Sequence, residues 1–185
     1  MKRRQFVQLI AASSLSTHCV ADTSKPALTA SQAEGPFYPV TPIPESNNLL
    51  LNKNHLGSEL QLSGHVFDST GQPVAAARVE IWQCDGRGVY HHPSAPNHSD
   101  FDANFGGAGA TTTDNSGRYR FTTIVPVPYT GRPPHIHTKV FINNTEKLTS
   151  QIYLRNGGGH KRLKIDLTEN AEATYLSTFD FVVKA

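Results

Sequence analysis

The sequence predicts an all-β protein, an antiparallel β-sandwich with long loops. About seven short segments rich in β-branched and aromatic residues recur along the chain from residue 59 onward. Turns rich in Gly, Pro, Asn and Asp separate these segments. No stretch carries the repeat of an amphipathic helix, although a turn of helix is expected at residues 168–173. Many short strands without helices are typical of two packed sheets.

The expected strands follow one another at short intervals. The first runs from Glu59 to Val66 and ends in the turn at residues 68–73. The second, residues 77–82, alternates polar and apolar side chains, as a half-buried strand does. Five more strands are expected at residues 118–124, 135–141, 150–154, 163–166 and 179–183. The glycine-rich connection between residues 84 and 113 is long for a compact domain, and such connections usually serve function.

Composition excludes several classes of protein. A chain of 185 residues is long enough for one domain with its own core. Its formal net charge is +2, and the body of the chain has no run of cations with interleaved aromatics, so nucleic acid is not an expected partner. No stretch approaches the ~18 apolar residues of a membrane-spanning helix, so no membrane span is expected.

The first residues have the pattern of an export signal. Residues 1–21 combine the cations Lys2-Arg3-Arg4 with a short apolar stretch and a small-residue cleavage site, as an export signal does. Paired arginines followed by x-Phe resemble a bacterial twin-arginine signal, which predicts a periplasmic or extracellular protein. Cys19 leaves lipidation as an alternative, although His18 before it fits poorly. Removal of the signal would leave Cys84 alone, without an internal disulfide.

The rest of the chain divides into two parts. Residues 22–33, rich in Ser, Thr, Ala and Pro, are expected to form a flexible lead-in. Residues 34–185 are expected to form one domain.

Two histidines on one expected strand form a candidate metal site. His135 and His137 project from the same face of the strand, so their imidazoles can reach one ion together. Taken alone, such a pair is more often an ordinary polar strand face. Tyr129 and Tyr90 are the candidates that would complete a site, because phenolate oxygen and imidazole nitrogen together suit a ferric ion. A zinc or copper site built from histidines alone would leave the tyrosines unexplained.

The motif around these histidines resembles a known family. Tyr129-(x5)-His135-x-His137, within Pro-Tyr-Thr-Gly-Arg-Pro-Pro-His-Ile-His, is similar to the iron motif of intradiol ring-cleavage dioxygenases, above all the iron-bearing subunit of protocatechuate 3,4-dioxygenase. Further similar stretches occur in order at residues 34–38, 79–83, 88–90, 104–107 and 150–153. The resemblance covers most of residues 34–185. It implies a sandwich of transthyretin-like topology.

The resemblance also implies a ligand set and a pocket. Non-haem Fe(III) would be held by four ligands, namely Tyr90, Tyr129, His135 and His137. Tyr129 matches the catalytic tyrosine that substrate displaces, whereas Tyr90 matches the one that stays. Arg132 is implied to stabilise negative charge that develops on the substrate. The implied substrate pocket includes Gln151, Tyr38 and Trp82.

The implied reaction uses O2 to cleave the bond between the two hydroxylated carbons of a catechol-type aromatic, giving a cis,cis-muconate-type diacid. An alternative comes from residues 64–74 and 117–121, which also resemble an exported transthyretin-like or carboxypeptidase-regulatory module that binds without catalysis. Tyr90, Tyr129, Arg132 and the two histidines together discriminate against that module.

The sequence departs from the family in two places. The part before Glu34 has no room for the helical dimerisation region of catechol-type relatives. The segment at residues 155–160 is shorter than its counterpart in protocatechuate-type enzymes and is expected to open the pocket. The identity of the catechol, and whether the chain forms a homo-oligomer or needs a second subunit, are left open by the sequence.

Overall fold

A computed structural model describes residues 25–185, so the export signal predicted at residues 1–21 lies outside the described residues. Within the described part the chain forms ten strands and one short 3₁₀ turn, His98–Asp100. The strands are β1 (Glu59–Asp68), β2 (Arg78–Trp82), β3 (Ala108–Thr112), β4 (Arg118–Ile124), β5 (His135–Ile142), β6 (Thr145–Leu154), β7 (Lys164–Ile165), β8 (Thr168–Glu169), β9 (Tyr175–Thr178) and β10 (Phe181–Val183). None of these residues forms a helix long and apolar enough to cross a membrane.

The strands form two five-stranded sheets. In the first sheet β1 is central: β4 pairs with it on one side, and β9 and β10 pair with it in succession on the other. The second sheet has the order β3-β2-β5-β6-β7. The all-β, two-sheet prediction is confirmed. Most strand pairs are antiparallel, as expected, but the pairs β1–β9, β1–β10 and β6–β7 are parallel, so both sheets are mixed.

Two local expectations also differ from the structure. Strand β3 lies inside the connection expected to be a loop, and its small residues are held by pairing with β2 along its whole length. The turn of helix expected at residues 168–173 is instead β8 followed by a turn. The side-chain oxygen of Asn170 accepts hydrogen bonds from the backbone N–H groups of Glu172 and Thr174, and this local bonding competes with helix formation.

The core lies between the two sheets. Leu60 and Leu62 of β1 face Ile81 of β2 and Ile136 and Val140 of β5, and all five are fully buried. Because side chains alternate along a strand, the odd-numbered residues of β5 point to the opposite face of the second sheet. A separate buried cluster of Trp82, Cys84, Tyr90 and Ala95 forms away from this core.

The chain before β1 packs against both sheets, along β6 of the second sheet and β10 of the first. We call residues 29–38 the N-terminal strap. The backbone N–H of Gln32 donates to the carbonyl of Thr149, and the hydroxyl of Ser150 donates to the carbonyl of Ala30. Thr29 bonds to β10 through both its backbone and its hydroxyl. The strap therefore differs from the flexible lead-in expected up to residue 33. It occupies the edge of β6 that the two-residue β7 leaves uncovered.

Candidate metal centre and active site

The two predicted histidines converge on one point. Strand β5 presents His135 and His137 on its outer face, and their Nε2 atoms lie 3.0 Å apart. Both side chains are buried, at 1% and 2% exposure. Two nitrogen ligands each about 2.1 Å from one ion, at right angles, would be about 3.0 Å apart. The spacing of the imidazoles thus suits a shared ion.

Hydrogen bonding fixes which nitrogen of His135 can bind a metal. Its Nδ1 lies 2.6 Å from the carbonyl oxygen of Pro133, which can only accept, so Nδ1 carries the proton. The Nε2 lone pair then faces Nε2 of His137. Burial, followed by the neighbouring His135 and Arg132, lowers the pKa of His137 to about 2. Burial also lowers the pKa of His135. Both imidazoles are therefore neutral, as metal ligands must be.

The tyrosines complete a ring of four aromatic side chains. Tyr90 meets Tyr129 edge to face with ring centroids 5.3 Å apart, and lies 6.1 Å from the ring of His137. The rings of Tyr129 and His135 are 5.5 Å apart. Gly88 makes this approach feasible, because a Cβ at that position would lie 3.1 Å from Cβ of Tyr129. Residues from three separate segments thus lie side by side here.

The donor set fits a ferric ion. The hydroxyl of Tyr90 is buried and, apart from a weak interaction with the hydroxyl of Tyr129, has no hydrogen-bond partner among the described residues, an arrangement that costs free energy unless another group satisfies it. Burial also raises the pKa of this phenol well above its usual range, and a bound cation would reverse that effect. Within residues 25–185 no three His, Cys, Asp or Glu side chains cluster as a metal site. An ion held by the two imidazoles would therefore take its further protein ligands from the phenols.

Arg132 is held beside this cluster by a buried amide. Its Nη2 donates to Oε1 of Gln151 at 2.8 Å, and the hydroxyl of Tyr153 donates to the same oxygen at 2.6 Å. Nε2 of Gln151 donates to the carbonyl of Ala33 in the N-terminal strap at 2.7 Å. Because a carbonyl only accepts, this bond fixes which end of the amide faces Arg132. The strap thereby orients the guanidinium.

The other two predicted pocket residues, Tyr38 and Trp82, pack behind His137 and are not among the residues that line the cavity at the cluster. Trp82 stacks on His137, with ring centroids 4.8 Å apart and planes 10° apart. Tyr38 packs edge to face on Trp82 and donates to a carboxylate oxygen of Glu80 at 2.8 Å. Burial, then this bond, raises the pKa of Tyr38 to about 12. Tyr38 is thus a neutral phenol bonded to Glu80, supporting Trp82 from behind.

A cavity of about 470 Å³ opens onto the cluster. Among the residues that line it are Phe37, Arg87, Tyr90, Tyr129 and Arg132. Sequence reasoning assigned no role to Phe37, Arg87 or Tyr153. The matched stretches at residues 34–38 and 150–153 contain Phe37 and Tyr153, so the signal was present for those two. The short segment at residues 155–160 packs beside Pro133 and Pro134 through its glycines.

Gly35 offers a test of how tightly the strap packs on the metal site. Its φ is +80°, and a Cβ there would lie 3.1 Å from Cε1 of His137, which Trp82 blocks from moving back. We expect Gly35→Ala to lower the free energy of unfolding by about 2–3 kcal/mol, from backbone strain plus overpacking. Gly131→Ala is the matched control, because Gly131 has φ +73° but no atom within 4 Å of an added Cβ. Equal losses in urea unfolding would contradict close packing.

Comparison with known proteins identifies relatives of the chain. The family model described as Dioxygenase matches residues 33–185. The protocatechuate 3,4-dioxygenase beta chain of Burkholderia cepacia is 37% identical over 116 residues, which cover 58% of this chain and 49% of that protein. Catechol 1,2-dioxygenase of Acinetobacter baylyi is 32% identical over 142 residues, covering 64% of this chain and 44% of that protein. The chain thus spans about half the length of these curated relatives.

Solved structures show the same fold. The dioxygenase domain of a dioxygenase carbohydrate-binding protein fusion from Streptomyces sp. SirexAA-E superposes with a TM-score of 0.71 at 26% identity, covering 86% of this chain and 99% of that one. The 3-chlorocatechol 1,2-dioxygenase of Rhodococcus opacus 1CP superposes with a TM-score of 0.73 at 22% identity, covering 84% and 72% respectively.

Proposed function

The chain belongs to the intradiol ring-cleavage dioxygenase family, and on that premise we propose that it cleaves a catechol-type aromatic between its two hydroxylated carbons. Both atoms of O2 enter the product, one carbon–carbon bond breaks, and the substrate supplies the four electrons that reduce O2. The product is a cis,cis-muconate-type diacid. The observation that carries the proposal is the paired Nε2 atoms of two neutral imidazoles with the rings of two tyrosines packed around them.

The proposed cofactor is Fe(III), with Tyr90, Tyr129, His135 and His137 as its ligands. When bound, it would supply Lewis-acid chemistry that orients the catecholate and makes the ring reactive toward O2. Support for ferric iron rests on the unsatisfied buried hydroxyl of Tyr90 beside the paired Nε2 atoms. Hard phenolate oxygens and imidazole nitrogens are ligands that iron accepts.

The protein's own groups have distinct proposed roles. Tyr129 is only half-buried and borders the cavity, so its oxygen can take a proton from a substrate hydroxyl. Arg132, oriented by Gln151, would stabilise negative charge that develops on the substrate in the cavity. Phe37, which lines the cavity, would keep water from the reacting ring, and Trp82 would hold the ring of His137 in place by stacking on it.

The rival proposal, a binding module without chemistry, is disfavoured by the same geometry. A structural module gains nothing from a buried phenol that lacks a hydrogen-bond partner, since such a group destabilises the fold. Nor does it require the amide of Gln151 to fix an arginine at the mouth of a cavity.

Isotope labelling tests the proposed reaction directly. Iron-loaded protein would be supplied with catechol under ¹⁸O2, and the product analysed by mass spectrometry. We expect a diacid that carries both labelled atoms, with one O2 consumed per catechol. Coupling of catechol oxidation to hydrogen peroxide or water, without ring opening, would overturn the proposal.

We also propose export through the twin-arginine pathway, supported by Arg3-Arg4 and the small residues before residue 22. Cell fractionation after expression tests it. Replacing the two arginines by lysines should leave the protein in the cytoplasm. Export of that variant at the normal level would refute the proposed route.

A further inference from the structure

The charged residues that line the cavity are cationic. Arg87 and Arg132 both line it, and no Asp or Glu is found among its lining residues in the described part of the chain. Asp102 is near enough to Arg87 in space to feel its charge: burial raises the pKa of Asp102, but hydrogen bonds from Asn104 and Leu56 and, to a smaller extent, the charge of Arg87 lower it overall. Its carboxylate oxygens are taken up by the backbone N–H groups of Leu56 and Asn104 and form no ion pair with Arg87. Guanidinium groups without a facing carboxylate favour a bound anion.

The guanidinium groups of the two arginines differ in their hydrogen-bond partners. Arg132 is already bonded to the amide of Gln151 beside the metal cluster. Arg87 is exposed and, within the described part of the chain, its side chain makes one hydrogen bond, from Nη1 to the backbone carbonyl of Asp100 at 2.9 Å. No carboxylate lies within ion-pairing distance of Arg87 among residues 25–185. Its remaining N–H groups are therefore free for a ligand.

Arg87 is also presented by an ordered turn rather than a loose loop. The carboxylate of Asp85, which is fully buried, accepts hydrogen bonds from the backbone N–H groups of Arg87 and Val89. The backbone N–H of Gly88 donates to the carbonyl of Asp85. The same turn delivers Tyr90 to the metal cluster three residues later. One segment therefore fixes both a proposed metal ligand and a cation at the cavity wall.

The cavity has room for more than a bare ring. Its volume of about 470 Å³ is in the range that holds drug-sized ligands, about 300–1,000 Å³. A single catechol ring with its ortho hydroxyls at the tyrosines and histidines would leave part of it unfilled. A substituent on the ring can extend along the wall that carries Arg87.

We propose that Arg87 is a specificity-determining residue that binds a carboxylate substituent of the catechol, so that the enzyme prefers anionic over neutral substituted catechols. This inference rests on the proposed function. Arg132 remains assigned to charge on the reacting ring. Arg87 acts on the substituent through charge-assisted hydrogen bonds, so its contribution falls chiefly on KM.

The test compares 3,4-dihydroxybenzoate with its methyl ester, which has a similar shape but no charge. In the iron-loaded wild-type protein we expect a higher kcat/KM for the acid. Arg87→Gln should lower the ratio of acid to ester by about 3- to 10-fold, at or below the lower end for hydrogen bonds to a charged group because Arg87 is exposed to solvent. Arg87→Lys should recover part of that ratio. Added salt should lower the wild-type ratio more than that of Arg87→Gln.

Arg162→Gln is the matched control, since Arg162 is an exposed arginine away from the cavity. Its ratio of acid to ester should equal that of the wild type. Equal turnover of acid and ester by the wild-type protein, or a ratio that Arg87→Gln leaves unchanged, would overturn this inference alone. Failure to open the ring of either compound would overturn the proposed function, and the inference with it.

Discussion

Replacing His137 by alanine is expected to abolish both iron binding and turnover. His137 is 2% exposed, its Nε2 faces that of His135 at 3.0 Å, and no third imidazole, thiolate or carboxylate clusters with them among the described residues. One lost ligand therefore leaves a single imidazole with two phenols. We expect loss of bound iron in elemental analysis and a fall in catechol-dependent O2 uptake of about a thousandfold or more, because the ion supplies several kcal/mol.

His160→Ala is the control for this variant. The ring of His160 bonds only to the backbone N–H of Arg162 in the described part of the chain and lies in the loop after β6. It should retain iron and activity. Circular dichroism would verify that His137→Ala is folded, since the variant also loses the stacking on Trp82. A folded His137→Ala protein with the normal amount of iron would refute the ligand assignment.

Arg132→Met is expected to separate catalysis from iron binding. The guanidinium bonds to Gln151 and lines the cavity, but it is not a proposed ligand. We expect normal iron and a visible spectrum like that of the wild type. The value of kcat should fall by about 100- to 1,000-fold, the cost of removing one preorganised group that stabilises transition-state charge.

The corresponding control is Arg162→Met, which removes an exposed guanidinium and should leave kcat unchanged. An Arg132→Met protein that turns over substrate at the wild-type rate would show that this arginine has no catalytic role. Loss of iron from the same variant would instead make its role structural.

The sequence predicted those parts of the fold that local pattern determines. Alternation marked β1, β2 and β5, because each has one face in the core. Strand β3 escaped notice, since Ala108–Thr112 has little intrinsic preference for a strand and is held by β2. The parallel pairing of β9 and β10 with β1 depends on how the last strands cross between sheets, which no local pattern records.

Part of the candidate site also follows from local sequence spacing, and part depends on tertiary structure. The spacing of His135 and His137 specifies a shared face by strand geometry alone. The approach of Tyr90 depends on a buried turn around Asp85 and on Gly88, and it was reached through resemblance to the family rather than through spacing. Residues 29–33 of the strap have the composition of a flexible linker, and composition does not reveal that Ala33 accepts a hydrogen bond from Gln151.

The central claim, a ferric site with tyrosine ligands, is tested most directly by visible absorption combined with iron analysis of the purified protein. We expect equimolar iron and a burgundy tyrosinate-to-iron band, which shifts when a catechol is added without O2. The band should be largely lost in Tyr90→Phe, the buried phenol at 3% exposure. A colourless protein that binds no iron on reconstitution would contradict the account.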